Sequence, residues 1–90
     1  MNRTTLTKIL QSADGVAGSD SVFEASEGHQ LSFYVGGFGR GMVINDVQKV
    51  HLQEDYIRLD RKASEGAAYL SYELIQGLTV RPNEKTPAGF

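Results

Sequence analysis

Between His29 and Pro82 the chain alternates apolar and polar residues in short runs separated by turn formers, and this period of two constrains its fold more than any other feature. Leu31, Phe33 and Val35 alternate with Ser32 and Tyr34. Ile57 and Leu59 alternate with Tyr56, Arg58 and Asp60, and Leu78 and Val80 with Thr79 and Arg81. Side chains along a strand point to opposite faces in turn, so each run buries one face and exposes the other. The runs predict a mainly β fold: a small five-stranded antiparallel barrel over 29–82, preceded by a short N-terminal helix. Its expected core is Leu31, Phe33, Val43, Ile57, Leu59, Leu70, Leu78 and Val80.

The punctuation supports this reading. Gly36-Gly37-Phe38-Gly39-Arg40-Gly41 follows the first run and precedes Met42-Val43-Ile44, which reads as a strand. Glycine loops that cradle phosphate lie between a strand and a helix, so this cluster is read as a hairpin turn. Asn45-Asp46 breaks the alternation as a bulge does, and Val47 to Leu52 continues with Val50 and Leu52 on one side and His51 on the other. Gln53-Glu54-Asp55 is the next turn, Arg61 to Gly66 a polar loop, Ala67 to Tyr72 a strand, and Glu73 to Gly77 a helical turn before the last strand. Proline lacks the N–H that a ladder needs, so Pro82 ends it.

Upstream, Leu6, Ile9, Leu10 and Ala13 recur at helical spacing over 1–14, with Thr4 or Thr5 as N-cap and Gly15 as stop. So short a helix must dock to persist, and covering an open end of the barrel is its expected role. Residues 15–28 read as a linker, with a short strand at 21–25 pairing with the strand that begins near Gln30. Residues 83–90 lack pattern and read as a disordered tail.

The strand-rich part is little more than half of a 90-residue chain, and cores of that size rarely supply more than roughly 3–5 kcal/mol. Cysteine is absent, which removes disulfides and thiolate metal sites and leaves oligomerisation as the common means of adding stability. No apolar run has the length of a signal peptide or a membrane span, so a cytoplasmic protein is expected. Eleven acidic residues against nine basic ones give no basic footprint, which disfavours tight nucleic-acid binding.

Chemistry-bearing motifs are scarce. His29 and His51 have no metal-ligand spacing, and neither a zinc-protease helix motif nor a nucleophile elbow is present. No catalytic residue, cofactor or metal is therefore assigned, and the chain reads as a non-enzymatic module. An enzyme built on His51, assisted by Glu54 or Asp55, would need a cleft around that ring. The outward face is richer: Tyr34, Tyr56, Arg58, Tyr69 and Arg81, with Arg40 at the hairpin, are the candidate partner contacts. Tyrosine interleaved with arginine suits a protein interface or a base-stacking platform, and tyrosine also simply suits exposed strand positions.

The order of elements resembles the Sm-like proteins, among them the bacterial RNA-chaperone group Hfq. The resemblance runs from the N-terminal helix through Leu31-Ser32-Phe33-Tyr34-Val35-Gly36-Gly37 to Leu70 through Pro82, where Ile75-Gln76-Gly77 followed by Val80 is similar to the second Sm motif. It implies rings of five-stranded barrels joined strand to strand that bind single-stranded RNA. Asp46 matches the aspartate of the first motif, but Val50 stands where the base-contacting asparagine belongs. Ser71-Tyr72-Glu73 replaces the cationic run that precedes the last strand in Hfq. The resemblance therefore implies the fold and assembly, and its RNA-binding residues do not carry over. The expected function is a homo-oligomeric assembly or protein-interaction module, with a single-stranded RNA-binding ring as the alternative.

Overall fold

A computed structural model of the chain describes residues 1–37, 40–62 and 66–82, with Gly37 and Arg40 described by backbone alone. The expected tail at 83–90 lies outside the described residues, as do Phe38-Gly39 of the glycine cluster and 63–65 of the polar loop. The fold is mainly β with a short N-terminal helix, α1 (Arg3–Ser12). The strands are β1 (Val16–Ser19), β2 (Val22–Ala25), β3 (His29–Gly37), β4 (Arg40–Leu52), β5 (Tyr56–Arg61), β6 (Ala67–Ser71) and β7 (Ile75–Pro82). A single 3-10 turn, Tyr72–Leu74, joins β6 to β7, so the expected helical turn starts one residue earlier and is shorter.

All seven strands belong to one curled antiparallel sheet, a half-barrel. The expected strands within 29–82 are present as β3 to β7, in the order β7-β3-β4-β5-β6. Closure of these five strands into a barrel is not seen: among the described residues β6 pairs with β5 and β7 with β3, and not with each other. The remaining two strands lie in what reads from sequence as a linker. β2 pairs with β1 and with β4, placing Phe23 opposite Val50, rather than with the strand beginning near Gln30.

The bulge explains this correction. Asp46 adopts φ 64, and the β3–β4 register shifts there, from Leu31 opposite Val47 to Phe33 opposite Ile44. Val47 pairs with β3 on one edge and β5 on the other; beyond it β3 diverges, and that edge of β4 is left for β2. Phe23, 1 % exposed, seats the β1–β2 hairpin in the core. The Leu52 N–H donates to the Ser21 carbonyl at 2.7 Å and holds the hairpin's near end.

One core joins both ends of the molecule: Leu6 and Leu10 of α1, Phe23, Leu31, Phe33, Val47, Val50, Leu52, Ile57, Leu59 and Ile75. Leu70, Leu78 and Val80 pack on it partly buried. Val43 does not belong to it. It pairs with Tyr34 on the outer face and is 46 % exposed, while its neighbour Ile44 faces inward opposite Phe33. Three consecutive apolar residues carry no parity of their own, so only the pairing decides which side each takes.

The helix also starts and stops earlier than expected. Asn2, not a threonine, is the N-cap: its side chain accepts from the Thr5 N–H at 2.8 Å. Ala13 is already extended, and Gly15, at φ 87, lies beyond the end and leads into β1. Burying Leu6 and Leu10 contributes roughly 1.5–3 kcal/mol each, enough to hold a helix that would not persist alone.

Candidate functional site

The register of β4, β5 and β6 builds the outer face that carries the polar and aromatic candidates. His51 stands opposite Arg58 and Arg58 opposite Tyr69, so one row crosses three strands. Lys49 stands opposite Asp60 and Tyr56 opposite Ser71 in the flanking rows. The rings of Tyr56 and Tyr69 approach diagonally to 6.2 Å between centroids at 49°, within the range of favourable aromatic pairs. Both remain open to solvent, Tyr69 at 61 %.

A small ion-pair network lies beside this pair. Asp60 accepts from Arg58 Nε at 2.9 Å through Oδ1 and contacts His51 Nε2 at 2.9 Å through Oδ2. Partial burial pushes the Asp60 carboxyl upward, but hydrogen bonds from His51 and Arg58, with their charges, outweigh it and hold the group below its ordinary value of 3.8. Arg58 is therefore committed to a neighbouring carboxylate, and Lys49 faces Glu24 at 3.8 Å. The face is close to neutral, and its prominent feature is aromatic.

Of the six sequence candidates, the fold brings Tyr56, Arg58 and Tyr69 together. Tyr34 and Arg81 are also exposed but lie on β3 and β7, opposite Gly77 and Gln30, at the other end of the sheet. Arg40 closes the β3–β4 hairpin opposite Gly37, with its side chain outside the described residues. The partner of His51 is Asp60 rather than Glu54 or Asp55. That pairing was within reach of sequence, since folding the chain at Gln53-Glu54-Asp55 brings the outward residues of the two runs face to face. Two hollows lined by described residues, one by Ala17, Gly18, Val22, Glu24 and Lys49 and one by Met1, Asn2, Tyr72 and Glu73, have neither His51 nor Asp60 in their lining. Among the described residues no three histidine, aspartate or glutamate side chains gather as a metal site, and no helix is long and apolar enough to cross a membrane.

The edges formed by β6 and β7, two of the three end strands of the branched sheet, are the second feature. Edge strands commonly protect themselves with charge or proline. β6, Ala67-Ala68-Tyr69-Leu70-Ser71, has neither, and β7 carries Arg81 and Pro82 only at its far end. These edges also cannot close on each other. Five strands in antiparallel order leave the first and last running the same way around a barrel, so closure would need a parallel β6–β7 pair. Parallel neighbours require a crossover of about a dozen residues or more, and here three residues connect them.

Compared with protein-family models, with curated proteins and with solved structures, the chain matches none.

Proposed function

We propose that this chain is a non-enzymatic self-associating module. Copies join head to tail through the β6 edge of one and the β7 edge of the next, and the assembly presents the outer tyrosine–arginine face to a protein partner. The observation that carries the reading is the pair of edges that one chain cannot close on itself, β6 free of charge and proline and β7 free of both before Arg81, with the Met1 ammonium donating to the Ile75 carbonyl only at the start of β7. A heterologous contact of this kind closes into a ring or runs on as a filament. The resemblance to Sm-like proteins supports the same arrangement. Light scattering on a sizing column tests it: a discrete species of several copies is expected, and a monomer at every concentration overturns it.

Binding of single-stranded RNA is the second reading, favoured by the Tyr56–Tyr69 pair with Arg58 beside it. The commitment of Arg58 to Asp60 and the acidic balance of the chain weigh against it. Ultraviolet absorbance of the purified protein and binding to a labelled oligonucleotide at low salt test it. Binding that falls steeply with added salt supports the reading, and absence of binding at low salt removes it.

A further inference from the structure

If β6 continues the sheet onto β7 of a second copy, outward residues must meet outward residues; the opposite parity would turn Ala68 and Leu70 from the core to solvent. The outward residues of β6 are Ala67, Tyr69 and Ser71, since Ala68 and Leu70 lie opposite the buried Leu59 and Ile57. Those of β7 are Gly77, Thr79 and Arg81, since Leu78 and Val80 lie opposite the buried Phe33 and Leu31. Tyr69, at the centre of β6, therefore has three possible neighbours across the joint.

Two of them are unsuitable. Opposite Arg81, the short β6 would overrun Pro82, which has no N–H to give the ladder. Opposite Thr79, the ring would meet a position whose hydroxyl is already buried and, among the described residues, without a hydrogen-bond partner. Gly77 is different. No atom lies within 4 Å of where its Cβ would stand, so the ring of its neighbour Tyr34 does not cover it. An edge glycine weakens its strand, and an aromatic side chain on the facing strand restores part of that loss by covering the bare backbone.

We infer that Tyr69 of one copy seats over Gly77 of a second copy, in a register that pairs β6 with Gly77 to Thr79 and stops short of the buried Ile75, whose carbonyl accepts from the Met1 ammonium. The occupant is a second copy of this chain, because the same molecule supplies both the uncharged strand and the uncovered glycine on edges it cannot join internally. The inference rests on the self-association reading and adds the register to it. The contact also makes the outer face continuous, carrying it from Tyr56 and Tyr69 of one copy to Tyr34 and Val43 of the next.

The native chain has no cysteine, so paired cysteines report the contact without interference. Gly77 is not among the glycines with positive φ, and its Cβ would enter open space, so the backbone accepts the change. The Tyr69→Cys/Gly77→Cys variant, oxidised with diamide, is expected to give a reducible ladder of linked copies, while the Tyr69→Cys/Thr79→Cys variant and each single variant do not. Should the double variant fail to fold, mixing the Tyr69→Cys and Gly77→Cys single variants is expected to give linked pairs. If the wild-type chain assembles but neither format links at Tyr69 and Gly77, or the Thr79 pair links better, the register is overturned and self-association stands. If the wild-type chain is monomeric throughout, both fall.

Discussion

Replacing Phe23 with alanine separates a linker from a folded hairpin more sharply than any other change in this chain. In a solvated linker the substitution would cost almost nothing. In the structure Phe23 is 1 % exposed, one of the largest fully buried side chains, and it stands opposite Val50 in the β2–β4 ladder. Removing a buried phenylalanine costs about 3–5 kcal/mol, transfer and cavity terms together. That is comparable with the roughly 3–5 kcal/mol that a core in so small a scaffold supplies. Phe23→Ala is therefore expected to remove most of the stability. If the β1–β2 hairpin detaches first, the loss is limited to the hairpin's own docking energy, and the variant unfolds with a smaller m because less surface remains to be exposed. Urea unfolding followed by circular dichroism reads both quantities. Val22→Ala is the control: its side chain, on the same strand, is 41 % exposed, and a change within about 0.5 kcal/mol is expected. A Phe23→Ala loss below about 1 kcal/mol with m unchanged would refute a hairpin seated in the core.

Ile44→Ser is expected to destabilise by about 2 kcal/mol, and Val43→Ser by about 0.5 kcal/mol or less, because only the former faces the core; equal losses in urea melts would contradict the β3–β4 register. Gly18→Ala is expected to cost about 1–3 kcal/mol in the same assay, since Gly18 has φ 139 and a Cβ there would stand 2.3 Å from the Val22 carbonyl oxygen. Asp60, whose folded pKa is held down, contributes stability that is present above its unfolded value near 3.8 and lost as pH falls through the folded value. Thermal melts should therefore show Asp60→Asn less stable than wild type by about 0.5–1 kcal/mol at neutral pH, with the gap closing below about pH 4. A gap independent of pH would remove the carboxylate from the account.

How much of this was legible beforehand follows from the range of each signal. The strands from His29 to Pro82 were readable because alternation and turn residues are local: Leu31 and Phe33, or Ile57 and Leu59, declare their face by spacing alone. So was the outward exposure of Tyr56, Arg58 and Tyr69. β1 was not, because Val16-Ala17-Gly18-Ser19 is short, mostly exposed and glycine-bearing, and carries the composition of a loop. Nor was the destination of β2, which depends on an edge of β4 that becomes free only beyond Val47, where β3 no longer pairs with it.

Which segments of 29–82 are extended, where they turn, and which face of each alternating run meets water are all written in the local order of residues. These properties depend on neighbours two residues apart and on the conformational preferences of single residues. Which strand lies beside which, that Val43 faces out while Ile44 faces in, that His51 meets Asp60, and that the sheet stays an open half-barrel with β6 and β7 among its edges emerge with long-range pairing alone. Those outcomes depend on pairing between segments far apart in the chain, where shifting the register by one residue reverses every face.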